Sequence, residues 1–271
     1  VRVFGFAACY TLLILFFMAF FGFIFFNSNK KNVFTEIILR QIDIYAHMIS
    51  LLVINETNLI HTLTAAVKTT GKITHIRDPE TGSHLDRMSR YSRLIALSLA
   101  DSHGLSDDFI EHLFMFSPLH DIGKIGIPDE VLLKPGKLSD DEVEIMRTHS
   151  HKGREIIDDL LENFELENIE YISMLRNIIE YHHESIDGKG YPLGIKGEQI
   201  PIEARIVAVA DVFDALTSVR PYKDAWSNEK AFNLLGELAG KTLDAECVSA
   251  LINNQMEIKI IQQNFKENIN D

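Results

Sequence analysis

The sequence holds little that could brace it covalently: two cysteines, Cys9 and Cys247, in 271 residues. Two thiols cannot make a disulfide framework, so nothing argues for an oxidising compartment. Basic charge is also scarce. Lys and Arg number 26 against 39 Asp and Glu, a formal net charge of -13, which disfavours a general binder of DNA or RNA polymers because phosphate contacts need basic clusters. That balance leaves room for a small phosphorylated ligand held by a few local cations. Internal repeats are absent, and no segment shows the sustained alternation that a sheet needs. Proline and glycine are missing throughout residues 32–70.

What is present is unevenly spread. Residues 3–26, VFGFAACYTLLILFFMAFFGFIFF, carry no charge. As a helix they would rise roughly 36 Å, enough to cross a hydrocarbon core. The run ends in phenylalanines rather than in the small residues of a signal-peptide cleavage site, so one transmembrane helix is expected over 3–26. Lys30 and Lys31 outweigh Arg2, and the positive-inside rule then puts the rest of the chain in the cytoplasm. From 32 to 70, Ile38, Ile42, Tyr45, Ile49, Leu52, Leu59, Leu63 and Ala66 alternate by three and four. This predicts a long helix with an apolar seam, either a stalk that pairs as a homodimer or a helix packed on the domain after it.

The remainder reads as helical. Ser106 with Asp107 and Asp108 starts a helix running to about Leu119, and Ser139 with Glu142 forms a capping box opening another through about Leu161. Further helices are predicted from about Glu170 to His183 and Pro201 to Thr217, with Asp244 capping a last one. The fold class is therefore all-α.

Polar residues cluster at the ends of these helices. Glu80 and His84 are four apart, on one helical face; His120 and Asp121 precede Gly123; His149 is expected mid-helix; His182 and His183 end a helix. Asp211 sits in the apolar run RIVAVADVFDALT, where a carboxylate is costly unless paired or metal-bound. Singly, each has a local reading as a helix-end histidine or a capping carboxylate. Jointly, five histidines and three carboxylates could converge on one core, and imidazole with carboxylate suits Fe or Mn, with no thiolate to favour softer sites. Two metals about 3.5–4 Å apart would serve phosphodiester cleavage by supplying a nucleophile and neutralising phosphoryl charge. Lys124, Arg220 and Lys223 are the candidate cations beside them. Gly188 and Gly190 would permit close backbone approach, and Tyr191 could stack or donate a hydrogen bond. His47, His61, His75, His103, His112 and His151 are left as surface or core residues.

These pieces stand in a recognisable order: ETGSHLDR at 80–87, HDIGKIGIPDEVLLKPGKLS at 120–139, MRTHSHKG at 146–153, HHESIDGKGYPLGIKGEQIP at 182–201 and RIVAVADVFDALTSVRPYK at 205–223. The sequence resembles the HD-GYP family, a branch of the HD-domain metal phosphohydrolases, over about 80–255. Each motif alone is modest evidence; five in order are specific. The resemblance implies an HD-domain helical bundle with a two- or three-metal site, Fe or Mn. It also implies hydrolysis of cyclic di-GMP to pGpG, and in many members onward to GMP.

By the same resemblance His84, His120, Asp121 and Asp211 look like ligands of one metal. His149, His182 and His183 look like ligands of its neighbour, with Asp121 bridging and Glu80 serving a third. Lys124 resembles the lysine beside the scissile phosphate, and Arg220 and Lys223 resemble cations gripping the other phosphate. The Gly188–Pro192 loop, with Tyr191, looks like the signature loop for substrate contact and for a signalling-protein partner. Two positions depart from the family pattern: Ser185 stands where Arg is common, and Val219 where Asp is common. The expected organisation is a transmembrane helix at 3–26, a stalk at 27–79 and a phosphohydrolase domain at 80–271, single-pass in a bacterial inner membrane. Two rival readings are a catalytically silent cyclic di-GMP receptor, against which the complete ligand set speaks, and a phosphohydrolase acting on another nucleotide.

Overall fold

A computed structural model describes residues 6–16, 19–54, 82–163, 171–219 and 224–266. Glu80, Arg220, Lys223 and the later half of the expected stalk lie outside these residues. The chain divides into two compact units, Val1–Ala65 and Ala66–Asp271.

The first unit corrects the expected transmembrane helix over 3–26. Strands β1 (Ala8–Phe16) and β2 (Ala19–Ser28) pair antiparallel there, from Ala8 against Ser28 to Phe16 against Ala19, with a bulge between Ile14 and Leu15. Apolarity alone does not choose between helix and strand. Aromatic and β-branched residues such as Tyr10, Thr11, Ile14, Phe23, Ile24 and Phe25 fit a pleated strand better than a helix. The alternation rule failed here because both faces of the hairpin are apolar. A two-stranded hairpin also leaves edge groups unpaired, so it could not span hydrocarbon by itself.

Helix α1, Glu36–Ile54, is the described helix that is long and apolar enough to cross a membrane. It covers the first half of the long helix predicted over 32–70. Tyr10 donates a 3.0 Å hydrogen bond to Asp43 Oδ1, tying the hairpin to α1. Ile37, Met48 and Leu52 on the helix are exposed. Lys30 and Lys31 precede α1 while Lys68 and Lys72 follow it in the sequence, so the charge bias that oriented a span at 3–26 does not orient one at 36–54.

The second unit is all-α. Its helices are α2 (Gly82–His103), α3 (Asp107–Phe116), the short α4 (Asp129–Leu132), α5 (Asp140–Arg147), α6 (His149–Asn163), α7 (Ile172–Tyr181), α8 (Ile202–Thr217), α9 (Asn228–Leu238), α10 (Ala245–Ile252) and α11 (Gln255–Asn264). Ser106 caps α3 through Phe109 N, and the capping box of Ser139 and Glu142 opens α5 as predicted. Asp244 caps α10, but α11 follows it, so that helix is not the last. Pro118 lacks an N–H and stops α3 at Phe116, and the chain continues as a 3₁₀ turn over Ser117–Leu119.

The single helix expected from 139 to 161 breaks at Thr148. Its hydroxyl donates to Ile145 O at 2.6 Å, and His149 Nδ1 bonds Met146 O at 2.7 Å. Side chains thus satisfy the last carbonyls of α5 and let a new helix begin. His149 consequently opens α6 rather than standing mid-helix. The core lies where α8 packs on α2 and α7: Tyr91 and Phe213 meet edge-on at 5.1 Å, both fully buried, beside Ile95, Leu175 and Ile178. Full burial of each such side chain contributes about 1.5–3 kcal/mol. Asp211 and Asp214 of α8 both meet His84 of α2, at 3.8 and 2.8 Å, which sets the position of the site.

Candidate metal centre

Two groups of potential ligands converge in the second unit. His84 from α2, His120 from the end of the 3₁₀ turn and Asp211 from α8 form one; Asp121, His149, His182 and His183 form the other, with ligand atoms within 4.8 Å of one another in each. Asp211 Oδ1 lies 3.8 Å from both His84 Nε2 and His120 Nε2. Asp121 joins the groups. Its Oδ2 is 3.3 Å from His120 Nε2 and 2.9 Å from Lys124 Nζ, while its Oδ1 is 3.3 Å from His149 Nε2 and 3.6 Å from His182 Nε2.

The outer nitrogens explain why the inner ones point inward. His120 Nδ1 bonds Ser117 O at 3.0 Å, His149 Nδ1 bonds Met146 O at 2.7 Å, and His182 Nδ1 bonds Ile178 O at 3.0 Å. A carbonyl only accepts, so Nδ1 carries the proton and Nε2 offers a lone pair. His149 Nε2, His182 Nε2 and Asp121 Oδ1 are buried with no hydrogen-bond partner among the described residues. Buried polar atoms left so are costly unless something polar meets them. Converging lone pairs and carboxylate oxygens fit a divalent cation, and two such groups fit a pair.

Electrostatics agree with that use. Burial opposes the charge on Asp121, yet Lys124 and His120 hold its carboxyl well below the usual carboxylate range. Burial, with the neighbouring His182, pushes His183 well below an ordinary histidine, and burial also lowers His182. Both rings therefore stay neutral and ready to ligate as pH falls through 6.5, the ordinary histidine value. Protons compete with metal for these nitrogens, so His182 and His183 should yield Mn²⁺ to protons only below pH 6.5, and affinity should fall at lower pH. Titrations by calorimetry across pH 8 to 5 check this; affinity already lost near pH 6.5 would count against it. The apoprotein shares the sign: the unfolded chain binds more protons here, so stability drops as pH falls below 6.5.

The signature loop is built against this site. Glu184 Oε1 accepts from Leu193 N at 2.7 Å and Gly194 N at 3.0 Å, drawing the loop onto the end of α7. At Gly190 a Cβ would lie 2.3 Å from Ser185 N and 2.5 Å from His183 O, so only glycine fits that approach. Tyr191 then stacks on His183 with centroids 4.7 Å apart, and the Arg147 guanidinium sits 5.3 Å from the Tyr191 ring centre. Ser185 has a local use: its hydroxyl donates to Asp187 Oδ1 at 2.7 Å, which also accepts from Lys189 N at 3.1 Å. Those bonds, Ser185 first, hold the Asp187 carboxyl at about 2.

Of the residues singled out in the sequence, His84, His120, Asp121, His149, His182, His183 and Asp211 come together, with Lys124 and Tyr191 at their edge. Sequence reading missed Asp214, Arg87 and Arg147. The signal for Asp214 was present: it is the second carboxylate of RIVAVADVFDALT, three residues after Asp211, and it is the fully buried one.

A family model described as HD domain matches residues 79–247. The chain is 45% identical over 189 residues to a cyclic di-GMP phosphodiesterase response regulator, RpfG, of Xanthomonas campestris pv. campestris, covering 70% of this chain and 47% of that one. It is 34% identical over 243 residues to the 3'3'-cGAMP-specific phosphodiesterase 2 of Vibrio cholerae, covering 89% of this chain and 43% of the relative. The chain thus spans about half the length of the curated relatives it matches, 47% and 43% for these two. The crystal structure of a V. cholerae cyclic GMP-AMP specific phosphodiesterase, V-cGAP3, shares the fold with a TM-score of 0.50 at 20% identity, over 77% of this chain and 50% of that one. With the model match covering most of the second unit, the chain belongs to the HD-domain superfamily, in its HD-GYP branch.

Proposed function

We propose that this chain is a metal-dependent phosphodiesterase of cyclic dinucleotides, hydrolysing cyclic di-GMP to pGpG. The observation that carries the reading is a single carboxylate, Asp121, offering one oxygen to each of two converging histidine groups. Under it, His84, His120 and Asp211 would hold one metal, His149, His182 and His183 would hold its neighbour, and Asp121 would serve both. Glu80 is assigned to a third. Fe and Mn suit this nitrogen and oxygen donor set. The chemistry supplied by such a pair is activation of water and neutralisation of phosphoryl charge.

The chain's own groups do the rest. Lys124, 2.9 Å from Asp121 Oδ2, brings a cation to the edge of the centre where a phosphoryl oxygen would gain charge. Tyr191, held flat on His183, walls one side, and its phenol is kept protonated by burial, so it can donate. Arg220 and Lys223 are assigned to the second phosphate. Lys124→Met should lower kcat about 10²–10³-fold with unchanged metal content; an equal loss of metal would instead make Lys124 a structural partner of Asp121.

Relatives named for both cyclic di-GMP and 3'3'-cGAMP support the substrate class, and the 34% identity to a cGAMP-specific enzyme extends over 89% of this chain. A panel with both cyclic dinucleotides, run anaerobically with Mn²⁺ or Fe²⁺, tests the reading. Faster turnover of 3'3'-cGAMP would replace the substrate while keeping the site; full metal occupancy with no turnover of either would favour the receptor.

A further inference from the structure

The histidines of the two groups are not anchored alike. His120, His149 and His182 give their Nδ1 protons to neutral backbone carbonyls. His84 gives its proton to a carboxylate, Asp214 Oδ2, at 2.8 Å. Asp214 is fully buried. Arg87 grips it with Nε to Oδ1 at 2.6 Å and Nη2 to Oδ2 at 2.9 Å, and Ser218 Oγ donates to Oδ2 at 2.9 Å. Arg87 is fixed in turn, since its Nη1 donates to Phe265 O at 2.9 Å and its Nη2 to Ser218 Oγ at 2.7 Å. The carboxylate cannot turn away from His84, and both of its oxygens already accept hydrogen bonds.

An anion behind an imidazole has two effects on what the other nitrogen can bind. It locks the ring so that Nε2 faces Asp211 and His120, and it stabilises the positive charge that the ring acquires on ligating a cation. A carbonyl performs the first task fully and the second weakly. We propose that Asp214 is a positioning residue acting through His84, and that its charge supports the metal held by His84, His120 and Asp211 while leaving the neighbouring metal unaffected. This rests on the reading of the two groups as metal ligands.

Asp214→Asn tests it, because the amide keeps the shape and removes the charge. The full chain is equilibrated anaerobically against graded free Mn²⁺, and bound metal is counted by elemental analysis. Wild type should take up at least two equivalents; the variant should bind one of them about 10–100-fold more weakly and the rest as wild type does. The amide also leaves Arg87 without its counter-charge, which could unfold the chain. The double variant Arg87→Gln with Asp214→Asn removes both charges, and should melt closer to wild type than the single variant while keeping the one weakened equivalent. Two equivalents of wild-type affinity in the folded double variant would overturn the proposal, as would equal weakening of both. Wild type that binds no Mn²⁺ would instead overturn the assignment of the two groups as ligands, and the proposal with it.

Discussion

Asp121→Asn should abolish turnover and weaken metal at both positions together. The two Asp121 oxygens face different histidine groups: Oδ2 lies 3.3 Å from His120 Nε2, while Oδ1 lies 3.3 Å from His149 Nε2 and 3.6 Å from His182 Nε2. Asparagine would keep the volume but present an N–H₂ donor to one group, where a cation needs a lone pair. The pair with Lys124 would also lose its carboxylate charge, which weakens the 2.9 Å contact that holds the lysine at the edge of the centre. A fall in kcat of at least about a thousandfold is expected, the scale at which a principal electrostatic contributor acts. Circular dichroism should show the helices intact. Activity within tenfold of wild type, with two metals bound, would contradict the shared-carboxylate reading. The contrast with Asp214→Asn is informative, because that change should weaken one position alone.

Gly123→Ala should be among the most destabilising single substitutions in the second unit. Gly123 lies in the 3₁₀ segment Ile122–Gly126 that follows Asp121, and it presses on the first turn of α6. A Cβ there would fall 1.8 Å from His149 O and 2.4 Å from Gly153 N. These are backbone atoms, which no rotamer change can move. Gly153 is closely packed on its other side, where an added Cβ would lie 2.7 Å from Ile179 Cγ2. Forcing a methyl into such a space costs about 3 kcal/mol or more. In a unit of this size that lowers the melting temperature by about 6–12 °C. Because Asp121 and His149 flank the contact, metal affinity should fall with stability. Gly126→Ala is the milder comparison: its nearest neighbours would be side-chain atoms of Lys152, Cδ at 2.8 Å, which can shift at the expense of the 2.7 Å bond from Lys152 Nζ to Gly126 O. A Gly123→Ala protein that melts within about 2 °C of wild type would show that the segment can shift, against the rigid placement of Asp121.

The site was more legible in the sequence than the boundaries of the fold. Helix starts at Ser106, Ser139 and Asp244 were readable because capping depends on a few neighbouring side chains. The break at Thr148 was not, because periodicity runs on through 139–161 and only the bonds of Thr148 and His149 to Ile145 O and Met146 O interrupt it. The hairpin at 8–28 was missed for a different reason: a run apolar on every face carries no period, so length suggested a membrane helix where aromatic and β-branched content favoured strands. Within the site, the residues whose potential ligating atoms converge are those the sequence singles out by type and spacing. Asp214 was overlooked because its role exists only through a residue 130 positions away, His84. The argument that a carboxylate in RIVAVADVFDALT must be paired was sound, and it applies with most force to Asp214.

The most direct test is metal content and turnover measured on one sample of the full chain, purified anaerobically and supplied with Mn²⁺ or Fe²⁺. The account predicts at least two bound metals per chain and conversion of cyclic di-GMP to pGpG, with both properties lost together in Asp121→Asn. Two bound metals without hydrolysis of any cyclic dinucleotide, or hydrolysis that survives complete metal removal, would contradict it.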